Sequence, residues 1–402
     1  MVLKASVLDV SRANRAIVVR HVLTADDMSR GSIGLATGLS VASIAKLVND
    51  LIAEDVLLET GYQDSEGGRR RAILAINARG AVQFGADVSE NRVMVDVFDL
   101  SMTRIGRRIH TIVNRSITPQ EVAGFIEDAV HDLLRETGTS LEKVLGLGLG
   151  VPGIVEHPLG EDGESIIHAK VLDWSGVSFD DLEGRLGFPV LIDNGAKTTT
   201  QAESWYGSAK GSQHAILVLI GDSTGAGIIT DGHLYRGSSS IAGEWGHTKI
   251  SIDGPRCSCG SWGCVDTFVG ASSVLQRWDT ENRNWFGHET EGIDTMLEAW
   301  AAVDERAVET LHEVVNRLGL ALSNLVNLFN PQKIIIGGWF GERIATLFLE
   351  ELVVATRRFS LKQPGDEATL ERSELGQDAA TLGAATLPLD RFIESGWPQT
   401  IT

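Results

Sequence analysis

The chain's three cysteines, Cys257, Cys259 and Cys264, fall within eight residues, and His247 stands ten positions before the first. From Ala242 to Asp266 the sequence reads A-G-E-W-G-H-T-K-I-S-I-D-G-P-R-C-S-C-G-S-W-G-C-V-D. Three soft thiolates and one imidazole, separated by a Gly-rich turn, match a closed tetrahedral zinc site. Four protein ligands leave no coordination position open, so a Zn2+ held this way is structural. Two alternatives stay open. One is a disulfide plus a free thiol, although Cys-x-Cys is a poor disulfide spacing and three is an odd number. The other is three unrelated core cysteines.

At 402 residues the chain is long for one core, and two or three domains are expected. A hydrophobic content of 43% with 44 glycines suits a globular α/β protein rich in tight turns. No apolar run reaches the roughly 18 residues of a membrane span, and the N-terminal residues lack a signal-peptide pattern. Thiols committed to a metal suit a reducing, cytoplasmic compartment. The net charge of −19 argues against a protein that coats nucleic acid. Its distribution is uneven. Residues 1–80 carry 10 Lys and Arg against 9 Asp and Glu, whereas residues 81–402 carry 25 against 45. A near-neutral N-terminal segment on an acidic body fits a small DNA-reading head on a ligand-binding body.

The first segment supports that division. Ile17, Val18 and Val22 share one helical face within residues 13–24. Ile33, Leu35 and Ala36 suit a short second helix, Gly38 a turn, and Ser40 the N-cap of a third helix running to about Ala53. Ile44, Leu47, Val48, Leu51 and Ile52 give that helix its buried stripe. Helix, Gly-containing turn, helix is a helix-turn-helix pattern. Two short strands around Gly67-Gly68 follow as a wing, with Arg69, Arg70 and Arg71 at its tip for a phosphate backbone or minor groove. Val41, Ala42, Ser43 and Lys46 are the third-helix residues expected to face the major groove. The alternative is a helical hairpin used only for packing, with the arginines as a solvated turn.

From about Phe84 strand meanders alternate with helices, and the alternation occurs twice. A helix is expected over 119–136, a buried strand ending in a Pro-Gly turn over 144–155, and a long helix near 304–329. This predicts a duplicated α/β unit with a cleft between its halves. G-L-G-V-P-G-I-V, the turn Gly221–Ile229, D-G-H-L-Y-R-G-S-S-S-I-A-G-E-W-G-H, C-S-C-G-S-W-G-C, N-P-Q-K-I-I-I-G-G and a terminal G-A-A resemble the ROK family (repressor, open reading frame, kinase) over nearly the whole chain. The winged segment ending in G-G-R-R resembles its repressor subgroup. The resemblance implies an actin-like, sugar-kinase two-lobed fold of ribonuclease H-like type behind a winged helix-turn-helix. The expected division is 1–80 for the head, 81–200 for the first lobe and 201–402 for a second lobe carrying zinc. It also implies a sugar or sugar derivative as effector, operator DNA as partner, and a homodimer or homotetramer, with no membrane role.

Phosphoryl transfer needs a base at the sugar hydroxyl and backbone amides around the phosphates. In ROK kinases the base is the Asp of an N-D-A-N-like motif, and counting back from Glu203 puts Gly195 at that place. The first phosphate loop resembles D-x-G-G-T in those kinases. Here it reads Asp87-Val88-Ser89-Glu90-Asn91, without the glycines that let backbone approach a phosphate. The second loop carries Asp222 where a Thr is usual. These losses predict a non-enzymic regulator of carbohydrate genes, a repressor first. A sugar kinase with an added head and a ligand-independent DNA-binding protein are the alternatives. The sugar contacts implied by the resemblance are Gly153, Asn194, Glu244, His247 and Asp266. Lys197 would bring a cation towards the pocket, or else lie on the surface. Trp174, Trp245 and Trp262 could stack on a sugar or simply pack.

Overall fold

The computed structural model describes residues 7–25, 28–63, 71–112, 117–156, 165–279, 285 and 287–395. The head runs α1 (Val7–Thr24), β1 (Met28–Ser29), α2 (Arg30–Thr37), α3 (Val41–Ala53), β2 (Leu57–Gln63) and β3 (Arg71–Ile76), with sheet order β1-β3-β2. Ser29 and Ser32 close a capping box at the start of α2, and Gly38 ends that helix at φ 67°. Ser40 then caps α3, its hydroxyl accepting from the Ser43 amide at 3.1 Å. Helix α1 begins earlier than the apolar face indicated, because residues 7–12 contain no helix breaker.

Two lobes follow. The first contains β4 (Val82–Val88), β5 (Arg92–Asp99), β6 (Arg104–Thr111), α4 (Pro119–Thr137), β7 (Val144–Val151), β8 (Ile154–Glu156), β9 (Ile166–Ala169), β10 (Trp174–Val177), α5 (Asp180–Leu186), β11 (Val190–Asn194) and α6 (Gly195–Tyr206). The second contains β12 (Ala215–Ile220), β13 (Thr224–Thr230), β14 (His233–Leu234), α7 (Asp266–Val269), α8 (Ala271–Trp278), α9 (Glu289–Ala301), α10 (Glu305–Phe329), β15 (Lys333–Gly337), α11 (Trp339–Phe359), α12 (Lys362–Glu367) and β16 (Thr369–Arg372). The chain closes with α13 (Ala379–Glu394).

The duplication is visible in the sheets. The orders are β6-β5-β4-β7-β11 and β14-β13-β12-β15-β16. In both, the first three strands form an antiparallel meander and the last two join in parallel. Parallel strands need helical crossovers and burial on both faces, which explains the runs V-L-G-L-G-L-G-V and K-I-I-I-G. Strands β8, β9 and β10 form a small separate sheet.

Helix α13 falls within 201–402 by sequence, but it packs on β4 and β7 of the first lobe and on α6. Glycines permit the approach: a Cβ on Gly148 would lie 1.7 Å from the Ala384 carbonyl oxygen. Each lobe has its own apolar core. The head's core is shared. Val18, Val22, Ile44 and Leu51 of the head pack with Leu100 and Leu145 of the first lobe and with Ala385, Leu389 and Ile393 of α13. Among the described residues no helix is long and apolar enough to cross a membrane.

Candidate functional site

His247 closes a single 3-10 turn, Trp245–His247, whose position is set by Gly243. Gly243 has φ 105°, and a Cβ there would meet the Ala226 carbonyl oxygen at 2.1 Å. The turn therefore lies directly against β13. Trp245 anchors it from below, buried and donating to the Ala321 carbonyl at 3.3 Å.

His247 Nδ1 is 3.6 Å from Cys257 Sγ, and Cys259 Sγ is 3.7 Å from Cys264 Sγ. The four ligand atoms lie within 4.8 Å of one another. Metal–sulfur bonds of about 2.3 Å in a tetrahedron give edges of about 3.8 Å, so this donor set fits zinc. Four free ligands converge, and no disulfide forms among the cysteines. Lys249 Nζ, 3.0 Å from Cys264 Sγ, supplies positive charge beside three thiolates. With Nδ1 turned to the sulfurs, Nε2 is the ring nitrogen of His247 that the cysteine cluster does not use. Asp266 follows the last cysteine. Its Oδ1 accepts from the Thr224 amide at 2.8 Å and from the Thr224 hydroxyl at 3.1 Å, tying the metal loop to β13. Burial raises its pKa against those hydrogen bonds.

Across the cleft, Asn194 and Gly153 meet. Asn194 caps α6, Oδ1 accepting from the Ala196 amide at 2.9 Å and the Lys197 amide at 3.3 Å. Its Nδ2 donates to the Gly153 carbonyl at 2.7 Å. Lys197 is buried rather than on the surface, and its ammonium donates to the Ser240 carbonyl. Burial lowers its pKa, while Asp193 and Glu244 oppose that fall. Glu244 is half-buried, its carboxyl raised by burial against the pull of His247 and Lys197. Glu244, His247, Lys197 and Asp266 thus form one electrostatic group.

Sequence reasoning missed Asp193 and Arg236 as partners. Arg236 Nη1 donates to buried Asp193 at 2.5 Å and to the Ser240 hydroxyl at 3.2 Å. A cavity of about 170 Å³ between α6, β14 and α13 is lined by Asp193, Lys197, Arg236 and Asp390, among others. The only sequence signal was a carboxylate at the end of a buried strand, with nothing to name its partner.

The two loops expected to hold phosphates face each other. Ser223 donates to Glu90 Oε1 at 3.4 Å, so a carboxylate occupies the space between them. Gly195 has room for a side chain: a Cβ would lie 3.6 Å from the Val151 carbonyl and 3.9 Å from Asp87 Oδ1. Asp87 is buried on β4, and burial pushes its carboxyl up to about 6. Trp174 packs, donating to the Ile117 carbonyl at 3.0 Å, whereas Trp262 is exposed on the metal loop.

On the head, Val41, Ala42 and Lys46 are exposed on the first turns of α3. Ser43 is half-buried and spends its hydroxyl on Ser40 at 2.9 Å. Arg71 is exposed at the start of β3, while Arg69 and Arg70 lie outside the described residues.

Helix α6 joins these parts. It starts at the Asn194 cap in the cleft and ends at Trp205 and Tyr206, which pack against the head's core. Its 12 residues span about 18 Å. Beside it, Arg20 of α1 pairs with Asp390 of α13 and with Glu394 at 3.1 Å.

The ROK family model matches residues 84–391. The chain is 27% identical over 387 residues to the xylose repressor of Bacillus subtilis (strain 168), covering 96% of this chain and 97% of that protein. It is 27% identical over 384 residues to the DNA-binding transcriptional dual regulator NagC of Escherichia coli (strain K12), covering 94% and 92%. A solved ROK family transcriptional regulator, a homologue of the E. coli MLC protein, superposes with a TM-score of 0.78 at 22% identity, covering 97% and 98%. A ROK family glucokinase from Streptomyces griseus, in complex with glucose and AMPPNP, reaches 0.64 at 25% identity, covering 76% of this chain and 99% of that one.

Proposed function

The chain belongs to the ROK family, and on that premise we propose that it is a sugar-responsive DNA-binding regulator of carbohydrate genes, acting as a repressor. The observation that carries this is the continuity of α6 from the cleft to the core of a winged head. Relatives named as repressors match the head as well as the body, whereas the glucokinase leaves about a quarter of this chain uncovered.

Val41, Ala42 and Lys46 read base edges, with Ser43 at the helix start, and Arg69, Arg70 and Arg71 of the wing take phosphates. Glu244 and the Nε2 side of His247 hold sugar hydroxyls, with Asn194, Gly153 and Asp266 shaping the pocket. Lys197 compensates Glu244 electrostatically and ties α6 to the loop of Ser240. Zinc, held by His247, Cys257, Cys259 and Cys264, fixes the loop that carries Glu244 and sets the His247 tautomer. Sugar binding draws that loop towards the Asn194 end of α6. The far end of α6 and the adjoining α13 then re-seat the head. A ligand that favours one seating shifts operator affinity by its differential affinity for the two states.

Phosphoryl transfer is not supported. Gly195 cannot accept a proton, and Glu90 opposes a nucleotide phosphate in the cleft. The test is operator binding by the zinc-loaded protein across neutral, amino, acidic and phosphorylated sugars. A sugar that binds and yet leaves operator affinity unchanged defeats the proposal.

A further inference from the structure

The cavity between α6, β14 and α13 is not the sugar cleft. Gly153, Asn194, Glu244, His247 and Asp266 are all absent from its wall, and Lys197 alone is shared. Three elements each supply one cation to it: Lys197 from α6, Arg236 from the turn after β14 and Arg391 from α13. Asp193, Asp390 and Glu394 line it too, and each of these carboxylates already has a cation. Arg236 pairs with Asp193, and Arg20 of the head pairs with Asp390 and Glu394.

The cations are not balanced in the same way. Lys197 is 3% exposed, and its ammonium meets the Ser240 carbonyl rather than a carboxylate. Among the described residues, Arg391 has no side-chain partner, and neither has Gln201, whose amide also lines the cavity. A buried ammonium facing a carbonyl has lost water without gaining a counter-charge at contact, and burial accordingly lowers the Lys197 pKa against the pull of Asp193 and Glu244. An anion in the cavity offsets that cost.

The surroundings narrow the kind of anion. At the ~30 Å³ a water occupies in the liquid, 170 Å³ is room for roughly six waters, which suits one end of a small molecule and not a nucleotide. The cavity continues into a more open groove of about 400 Å³, with Leu191, Asp193, Arg236 and Leu387 common to both. Ser238, Ser239 and Ser240 wall that groove. Ser238 and Ser239 are exposed, and their hydroxyls have no partner among the described residues. Cations within and free hydroxyls outside match a polyhydroxylated chain that ends in a carboxylate.

We propose that this cavity binds a sugar acid, with its carboxylate among Lys197, Arg236 and Arg391 and its hydroxyls along Ser238 and Ser239. It is a second small-molecule site, separate from the cleft of Glu244 and His247. It adjoins the head's anchor, because Asp390 and Glu394 face the cavity and also hold Arg20 of α1.

The test is calorimetry of the full-length, zinc-loaded chain with gluconate, glucose and inorganic phosphate at neutral pH and constant ionic strength. Gluconate binds saturably and at least about 10-fold more tightly than phosphate, which has the charge without the hydroxylated chain. Excess glucose, which has the chain without the charge, leaves the gluconate affinity unchanged. Arg391→Ala, at an exposed position, keeps the melting temperature of wild type and weakens gluconate at least about 10-fold, the loss of a charge-assisted hydrogen bond. Arg391→Lys recovers part of that loss. Lys197→Met weakens gluconate as well, and the Arg391 variants decide the matter if the buried substitution impairs folding. No saturable gluconate binding, phosphate held as tightly, displacement of gluconate by glucose, or an affinity untouched by R391A each overturns the proposal. No operator DNA is present, so the result is independent of whether the chain acts as a repressor.

Discussion

Gly383 of α13 lies against Thr198 of α6 at main-chain contact: a Cβ on Gly383 would come within 1.9 Å of the Thr198 carbonyl oxygen. Thr198 is on the first turn of α6, beside Lys197, and α13 is the helix on which the head sits. A shift at the cleft end of α6 therefore reaches the head's platform without passing through flexible side chains. Gly383→Ala must push the helices apart against backbone. It is expected to destabilise the protein by about 1–3 kcal/mol, the usual range for overpacking. Denaturant unfolding measures this. In the folded fraction, the sugar effect on operator binding should shrink.

Arg20→Ala removes the charge link between α1 and α13. The pair is about one-third exposed, so global stability should change by no more than about 1 kcal/mol. The sugar-induced change in operator affinity should shrink by more than the sugar's own binding constant moves. Fluorescence anisotropy with labelled operator, run beside sugar calorimetry, separates the two. An unchanged ratio of affinities with and without sugar would remove this pair from the coupling.

Asp87 makes the fold pH-dependent. Its carboxyl titrates near 6 in the folded chain against an ordinary value of 3.8. The folded chain therefore binds more protons than the unfolded one between about pH 4 and 6, and its contribution to stability falls as pH rises through that window. Asp87→Asn should flatten the dependence and raise stability at pH 7 by up to about 3 kcal/mol. Thermal melts of both proteins at pH 4.5 and 7 check it. A variant less stable than wild type at pH 7 contradicts the burial argument.

Zinc removal should act on the sugar response before it unfolds the lobe. Cys257→Ser, or a strong chelator, frees the loop carrying Glu244 and His247. The melting temperature should fall and rise again with added zinc in the wild type but not in the variant. Retained sugar affinity in the zinc-free protein would show that the loop holds its shape unaided.

The elements were largely legible. Gly38, Ser40 and the α3 stripe marked the helix-turn-helix because caps and periodicity are local signals. The duplication was legible from two strand meanders followed by helices, whereas the shared strand order, with its last two strands joining in parallel, came from the structure. The cysteine cluster was legible because thiol chemistry restricts what three close cysteines can do. The placement of α13 was not. G-A-A-T-L reads as a helix, but its smallness records a fit to Gly148 and Thr198 that only topology reveals. Lys197 was legible as a cation and not as a buried one, since its carbonyl partner, Ser240, lies 43 residues away. Asn194 belonged to a ligand motif by sequence, yet its amide here is spent on the α6 cap and on Gly153.

A coupled assay for ADP release should detect no sugar phosphorylation by the wild type. Gly195→Asp is tolerated sterically, but Glu90 stays opposite Ser223 and the loop glycines remain absent, so activity should not return. Turnover by the wild type would restore the enzyme alternative.

The most direct measurement is anisotropy of an operator duplex selected from a random library, titrated with full-length zinc-loaded protein in the absence and presence of a sugar that raises its melting temperature. The predicted result is saturable, salt-sensitive binding that the sugar weakens at least about 10-fold, equivalent to 1.4 kcal/mol of coupling. Saturable binding of both sugar and operator, each indifferent to the other, would contradict a regulator whose cleft controls its head.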